Sequence, residues 1–353
     1  MITHEQLLPS IQFYNVISEK DPLSLDSYIA ALPEQNLSGD TDSIQLSLDI
    51  AISNYDEITD KITDTDAVAA LRDLDFLASS LLRHNIDPLQ STKKLGHSLV
   101  RLALRAQTIP RGTVYTYGLA NPANDRLRTF TGSNEEKRFI SAVKQSSLAL
   151  EVSSNILSDV SFEKSSVIEI SSALEEVARG CNVATQSIVD VHRSVSPSFF
   201  TNILRPYFEP LTINGRQFMG AGGAQMQLLS IERMIWGLDN KDDVYQDYFT
   251  ENIEYLDFNQ RQLIQSFSRK NNDTSILTFS RNINNLVINE TLASTLKAIR
   301  KFRYPHKRVA DNNFKIRSHD SVGSGSFKPT ILDHLLFKTE SMIEELTEHE
   351  NKF

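Results

Sequence analysis

The sequence predicts an all-α fold, because apolar residues recur at helical spacing along most of the chain and strand patterns are scarce. In residues 66–85, Leu74, Leu77 and Leu81 return every three or four positions, which places them on one face of an amphipathic helix. The same periodicity predicts further helices at 138–158, 164–192, 224–238, 252–268, 289–304 and 331–346. The sequence has no internal repeat and no alternation of strands with helices, which disfavours a parallel α/β sheet.

One short stretch has the pattern of a β-hairpin. Residues 210–218 read PLTINGRQF, and the pair Asn214 and Gly215 is typical of a two-residue turn between antiparallel strands. We expect this hairpin to be a small addition to a helical chain.

The stretch 117–136 has the weakest periodicity and is rich in turn-forming residues. We therefore expect it to connect a small N-terminal helical domain at residues 1–125 to a large helical domain at residues 126–353. A chain of 353 residues is long enough for two unequal domains with buried cores.

The composition is that of an ordinary globular protein, with 40% hydrophobic and 23% charged residues. The formal net charge of -9 disfavours nucleic acid as a partner, because an acidic surface repels phosphate. No stretch has the length of a membrane span, and the first residues lack the pattern of a signal peptide, so we expect no membrane partner. Cys181 is the only cysteine, which excludes internal disulfides and cysteine-rich zinc sites and favours a cytoplasmic location.

A basic stretch towards the C-terminal end contains one histidine directly after a proline. It reads KAIRKFRYPHKRVADNNF over residues 297–314, with His306 following Pro305. Proline lacks a backbone N–H and bends or ends a helix, so we expect it to leave the imidazole open to a ligand. Neutral imidazole is the usual protein ligand of haem iron in oxygen-handling proteins, and one such ligand is sufficient. A histidine that simply packs in the core or lies at the surface is the alternative interpretation.

Arg303 lies three residues before His306, so both side chains are predicted on the same side of the helix. The functional interpretation is that Arg303 neutralises the anionic edge of a cofactor, such as the propionates of haem. A solvated basic face is the alternative. The sequence has no HxxxH, HExxH or close cluster of His, Asp and Glu that would form a metal site from protein ligands alone.

Residues 196–210, SPSFFTNILRPYFEP, combine Phe200 with Arg205. A helical spacing of five leaves the two side chains on roughly adjacent faces, so both can line one pocket. Arginine binds a carboxylate through two parallel hydrogen bonds, and phenylalanine packs against an aromatic ring. A surface arginine beside core aromatic residues is the alternative interpretation.

Two glycine-rich segments have small side chains that let the backbone approach a ligand closely. GAGGA at residues 220–224 suits contact with a flat ligand, and GSGSF at residues 323–327 suits closure around an anion. Neither segment matches the P-loop or the dinucleotide-binding fingerprint. A plain tight turn and a flexible linker are the respective alternatives.

These segments occur in an order that resembles the signature of the indoleamine 2,3-dioxygenase-like haem proteins. The ordered pieces are HRSVSPSFFTNILRPYF, QFMGAGGAQMQLLSIERMIWG, IRKFRYPHKRV and VGSGSF, preceded by LRHNIDPLQSTKKLG and IPRGTVYTYGLANP. Within this superfamily the chain looks most like the PrnB type, the monodechloroaminopyrrolnitrin synthase family, to which RGTVYTYGLANP and RTFTGSNEEKRFISAV are similar. The resemblance covers roughly residues 70–345.

The resemblance implies a b-type haem in the large helical domain, which the smaller N-terminal domain caps. His306 matches the residue that ligates the iron, and Arg303 matches an arginine that pairs with a haem propionate. Gly222, Gly223 and Ala224 match a loop of small residues that passes over the haem.

The resemblance also implies an oxygenase that uses iron-bound dioxygen and an external electron donor to modify tryptophan or an indole derived from it. Phe200 matches the ring wall for this substrate, and Arg205 matches the clamp of its carboxylate. Gly323 and Ser324 match the beginning of a GTGGT loop that closes on substrate and propionate, although GSGSF departs from that loop. Ring opening to an N-formylkynurenine-type product and a PrnB-type rearrangement therefore both stay open, as does a haem sensor or carrier without turnover.

The resemblance leaves the distal side of the haem less defined. The segment EKRFISAV offers Phe139, Ser141 or Ala142 as the residue that faces the iron. Tyr115 and Tyr117 are further candidates, since their hydroxyl groups are able to contact the substrate.

Overall fold

Residues 9–221, 227–238, 242–316 and 330–348 are described by the structure, a computed structural model, with the backbone alone given for residue 10 and for 309–316. The contacts divide the chain into two compact units. The described residues of the first unit are 9–144 and 193–221, and those of the second are 145–192, 227–238, 242–316 and 330–348.

Helices make up most of both units, which confirms the predicted all-α fold. In chain order they are α1 (Pro9–Ser18), α2 (Asp26–Ser38), α3 (Thr41–Ile58), α4 (Asp64–Arg83), α5 (Pro88–Ser91), α6 (Leu95–Ala106), α7 (Val114–Tyr117), α8 (Asn134–Ser158), α9 (Val167–Ser194), α10 (Pro197–Phe199), α11 (Leu228–Trp236), α12 (Asp243–Asn252), α13 (Phe258–Lys270), α14 (Ile276–Ile283), α15 (Leu286–Ile316) and α16 (Thr330–Glu348). Short turns of 3₁₀ or π type add Asn124–Arg126, Phe200–Leu204, Arg205–Phe208 and Ile253–Tyr255.

The predicted hairpin is present in the first unit. Its strands β1 (Leu211–Ile213) and β2 (Arg216–Phe218) pair antiparallel. Asn214 and Gly215 form the turn between them, with φ angles of 51° and 78°. Positive φ at both positions is what a two-residue hairpin turn of type I′ requires, and Asn and Gly adopt it most readily.

The first unit is built around α4, which is buried on nearly all sides and packs against α1, α2, α3 and α6. A capping box begins the helix, because Thr63 and Asp66 each accept the backbone N–H of the other. The sequence pattern predicts a single apolar face, yet Arg72 and Asp73 are also buried. These two residues pair with each other, and Arg128 also donates to Asp73, so the charges are compensated away from water.

The core of the second unit brings α9, α11 and α15 together. Its central apolar side chains include Leu174, Val177, Cys181, Ile231, Ile235, Leu292, Leu296 and Ile299. Gly180 lets α9 approach α8 closely, because a Cβ atom at this position would lie 2.1 Å from Oγ of Ser153. The long helices therefore pack with little space between their backbones at this point.

The helix α15 continues through Pro305, so the predicted end of this helix at residue 304 is wrong. Proline removes one backbone N–H and displaces the carbonyl four residues earlier, which weakens the helix locally. The helix contacts the antiparallel α16 on both sides of this proline. Lys307 lies 3.3 Å from Asp333, and the Tyr304 hydroxyl donates to Glu340 at 2.7 Å.

The predicted helix at 252–268 is also wrong in its extent, because the chain forms two helices there. α12 ends at Asn252, and α13 begins at Phe258. Asp257 caps α13, since its carboxylate accepts the backbone N–H of Gln260 at 2.7 Å. The apolar spacing carries on across this break and therefore hides it in the sequence.

The division of the chain into domains at residues 1–125 and 126–353 stays a prediction. None of the helices in the described part of the chain is both long and apolar enough to cross a lipid bilayer.

Candidate functional site

His306 lies on α15 in the second unit, one turn after Phe302, and the centroids of the two rings are 5.7 Å apart. Protein atoms surround the imidazole closely, although part of its surface stays accessible. Burial lowers the pKa of His306 to about 4, and the positive charge of Arg303 adds to this shift. The imidazole is therefore neutral at pH 7 and has a nitrogen lone pair available for a metal ion.

Arg303 is buried on the same helix, and its Nη2 donates to Oε1 of Glu232 on α11. Its guanidinium carbon also lies 5.8 Å from the centroid of the Trp236 ring. Burial raises the pKa of Glu232, while the adjacent guanidinium opposes that shift. The sequence gives no sign of this ion pair, because its partners are far apart along the chain. The predicted contact between Arg303 and a propionate stays a prediction.

Three buried donors beside this ion pair have no hydrogen-bond partner within the described part of the chain. They are Nε of Arg303, Nε1 of Trp236 and the hydroxyl of Tyr245. The ring centroids of Trp236 and Tyr245 are 5.2 Å apart. A buried donor without an acceptor costs free energy, so this cluster has hydrogen bonds to offer to an added acceptor.

In the first unit, a π-helical turn at Phe200–Leu204 separates Phe200 from Arg205. The backbone N–H of Arg205 donates to the carbonyl of Phe200, five residues earlier. Residues five apart are about one turn apart in a π-type helix, whereas α-helical spacing would leave them on the adjacent faces that the sequence predicts. Arg205 is buried, whereas Phe200 is partly exposed.

The helix α8 adds a second aromatic ring next to Phe200. The ring centroid of Phe139 lies 5.4 Å from that of Phe200, and the two planes are 53° apart. Among the three distal candidates, Phe139 thus contacts the predicted ring wall, while Ser141 is exposed. That one of these three residues faces the iron stays a prediction.

Tyr117 has a buried carboxylate as its partner. Its hydroxyl donates to Oε1 of Glu136 at 3.1 Å, and both residues are buried. The Glu136 carboxylate also accepts the backbone N–H groups of Phe130 and Thr131 at 2.8 and 2.7 Å. Burial raises the pKa of Glu136, while these hydrogen bonds oppose the shift. Sequence reasoning missed Glu136, because a glutamate in the first turn of a helix carries no sign of burial.

The remaining predicted site residues lie outside the described residues. These are Gly222, Gly223, Ala224, Gly323 and Ser324. Gly220 precedes the first of these loops and is described, with its backbone N–H donating to the carbonyl of Phe208 at 3.3 Å.

Comparison with known protein families matches residues 52–344 to the family described as monodechloroaminopyrrolnitrin synthase PrnB. The chain belongs to the PrnB family. It is accordingly a haem-dependent oxygenase, and its family indicates that it modifies tryptophan or a compound derived from tryptophan. The resemblance noted in the sequence is thereby confirmed at the level of this family.

The described residues of this PrnB-family chain fit a haem group. His306 is neutral and keeps accessible surface, as an iron ligand must. Arg303 has a buried Nε without an acceptor, which suits a carboxylate such as a propionate. Within the described ranges, no three His, Cys, Asp or Glu side chains are grouped to hold a metal ion, whereas haem iron needs only one protein ligand.

Replacing Glu232 with glutamine is expected to lower the free energy of unfolding by about 3–5 kcal/mol, because the Arg303 charge would then be buried without a carboxylate. The double variant Glu232→Met/Arg303→Met is expected to recover most of this loss, since it removes both charges. Urea unfolding followed by far-UV circular dichroism measures both changes. As a control, Glu345→Gln breaks an exposed pair with Arg281 and is expected to cost less than about 1 kcal/mol. A Glu232→Gln cost as small as the control would contradict the prediction.

The pKa of His306 predicts a pH dependence of the haem-free protein. Between pH 6.5 and about 4, the unfolded imidazole binds a proton that the native imidazole does not, so this residue lowers stability as the pH falls through that window. We expect the His306 Cε1 resonance, assigned with His306→Gln, to titrate with a midpoint near 4. A midpoint near the ordinary histidine value of 6.5 would show that the ring is solvated.

Proposed function

We propose that this chain is a histidine-ligated haem b oxygenase that acts on tryptophan or a tryptophan-derived indole. His306 would ligate the iron, and Arg303 would hold a propionate through its unfilled Nε. The family supports the haem, and the neutral imidazole supports the choice of ligand. Dioxygen and an external electron donor complete the proposed partners.

The observation that carries the substrate assignment is the π-helical turn that puts the buried Arg205 one turn after Phe200. An arginine and an aromatic residue on successive turns suit a molecule that has both a carboxylate and an aromatic ring. Arg205 would bind the carboxylate through two parallel hydrogen bonds. Phe200 and Phe139 would pack against the indole and keep water away from it.

When bound, haem supplies the redox chemistry with dioxygen. The chain's own residues would position the substrate. Arg205 would hold its carboxylate, and the rings of Phe200 and Phe139 would fix the plane of its indole. No protein group is required to remove a proton in this scheme. The family supports a PrnB-type conversion of the indole, and ring opening to an N-formylkynurenine-type product is the outcome that product mass would distinguish from it.

The roles proposed for the two glycine-rich loops rest on the sequence resemblance alone. Gly222, Gly223 and Ala224 would pass over the haem, and Gly323 with Ser324 would close on substrate and propionate. We also propose a cytoplasmic location without nucleic-acid partners, which the single cysteine and the net charge of -9 support.

Replacing His306 with alanine is expected to abolish the haem Soret band while leaving the far-UV circular dichroism spectrum unchanged, because the iron loses its protein ligand. The absorption spectrum after haem reconstitution, with reduction and carbon monoxide addition, measures this. His97→Ala removes an exposed histidine on α6 and is the matched control, expected to keep the parent spectrum. A parent-like Soret band in His306→Ala would reject His306 as the ligand.

Replacing Arg205 with alanine is expected to weaken L-tryptophan binding by about tenfold to a hundredfold with the haem spectrum retained, since a charged hydrogen bond contributes about 1.5–3 kcal/mol. Calorimetric titration of the haem-loaded protein measures the affinity. Arg105→Ala removes an exposed arginine on α6 and serves as the control. Loss of haem in Arg205→Ala, or unchanged affinity for L-tryptophan, would mean that this arginine does not clamp the substrate.

A further inference from the structure

Arg111 is a fully buried arginine in the first unit that the proposed mechanism does not use. It is 1% exposed, and its Nε donates to Oδ1 of Asp75 on α4 at 2.7 Å. Its Nη2 also donates to Oγ of Ser79 on the same helix at 3.1 Å. The guanidinium is therefore anchored on α4 by two neighbouring partners.

The opposite side of this guanidinium touches the backbone that leaves the hairpin. Nη1 of Arg111 lies 3.5 Å from the carbonyl oxygen of Phe218. A Cβ atom built on Gly220 would lie 3.0 Å from Nη2 of Arg111 and equally close to Cα of Phe208. Gly220 thus lies between the guanidinium and Phe208, and a methyl group on it would require one of these neighbours to move by a few tenths of an ångström.

This contact reaches the residues of the candidate substrate site. The backbone N–H of Gly220 donates to the carbonyl of Phe208, which is the last residue of the turn Arg205–Phe208. That turn directly continues the π-helical turn of Phe200–Leu204. Gly220 is therefore linked to Arg205 by one hydrogen bond and by the short turn that begins at Arg205.

The chain around Arg111 is shaped to hold this arrangement. A Cβ atom on Gly112 would lie 2.4 Å from Oδ2 of Asp75, so only glycine lets the backbone come this close to the carboxylate. The Asp75 charge balances that of Arg111, which makes burial of the guanidinium possible.

We propose that Arg111 is a positioning residue for the carboxylate clamp: through Gly220 and Phe208 it fixes where Arg205 stands, and so determines the preference for substrates that carry a carboxylate. This inference rests on the proposed role of Arg205. A residue that only stabilised the fold would change the affinity for all ligands together. A residue that positions the clamp changes the affinity for a ligand with a carboxylate more than the affinity for the same ligand without one.

The test compares L-tryptophan with tryptamine, which lacks the carboxylate, by calorimetric titration of the full-length haem-loaded protein. Two variants disturb the contact in different ways. Arg111→Lys keeps the charge beside Asp75 but replaces the planar fork with a single ammonium, which cannot reach Asp75, Ser79 and Phe218 together. Gly220→Ala keeps every charge and adds one methyl group, which requires Arg111 or Phe208 to move by a few tenths of an ångström.

We expect both variants to lower the ratio of L-tryptophan to tryptamine affinity by about tenfold, within the range that a charged hydrogen bond supplies. The same substitutions made in an Arg205→Ala background are expected to leave the ratio unchanged, because the clamp is already absent. Gly96→Ala is the matched control: its Cβ atom would meet only Leu89 at 3.5 Å, so it is expected to keep the parent ratio.

The outcomes separate this inference from the proposed function. If Arg205→Ala removes the preference for L-tryptophan while Gly220→Ala and Arg111→Lys keep it, the positioning role is overturned and the clamp stands. If Arg205→Ala keeps the preference, the clamp and the positioning role both fail. Should Arg111→Lys not fold, Gly220→Ala decides alone, and loss of the Soret band in Gly220→Ala would overturn the inference, since the position would then serve the cofactor.

Discussion

The ion pair between Arg303 and Glu232 joins α15 to α11 inside the second unit, and the candidate haem ligand depends on it. A buried guanidinium needs a carboxylate partner, so Glu232 fixes the position of Arg303 and of the helix turn that follows, on which His306 lies. The helix α11 is itself held just before its first turn, where Gln227 donates to Glu151 at 2.9 Å. Buried polar contacts therefore hold α11 and the part of α15 that lies one turn before His306.

The first unit follows the same principle around a different arginine. Arg111 is buried against Asp75, and its guanidinium also contacts the backbone at Phe218 and Gly220, which lies against Phe208. In each unit a buried arginine thus does two things: it pairs with a carboxylate on a neighbouring helix, and it sets the position of a candidate site residue nearby. Buried charges of this kind are costly unless their geometry is good, which makes the geometry around them well defined.

The long helices and the hairpin were predictable from the sequence, because local rules govern their formation. Helical periodicity predicts the long helices, and the pair Asn214 and Gly215 predicts the hairpin turn, since both depend on neighbours within a few residues. The continuation of α15 through Pro305 was not predictable, because the local rule for proline favours a helix end, whereas the helix packs beside α16 on both sides of this residue. The partner of Arg303 was not predictable either, since Glu232 is far away along the chain.

The arrangement of the candidate substrate-binding residues was likewise not predictable from the sequence. The spacing of Phe200 and Arg205 suggested adjacent faces of an α-helix, but the backbone forms a π-helical turn between them, and no sequence rule signals such a turn. The contact of Phe139 with Phe200 likewise depends on how α8 packs within the first unit. The order of the short motifs along the chain pointed to the family, while the contacts between them required the structure.

Arginine at position 303 meets two requirements at once, whereas lysine would meet only one of them. A guanidinium presents several N–H groups in a fixed plane, so Nη2 can bind Glu232 while Nε stays open to a second acceptor. The positive charge also helps to lower the pKa of His306, which keeps the imidazole in the neutral form that binds iron. An ammonium group would offer the charge without the directed second donor. The pair of Arg303 and Glu232 therefore suits both proposed roles, the neutral imidazole of His306 as the iron ligand and the Nε of Arg303 as the anion contact.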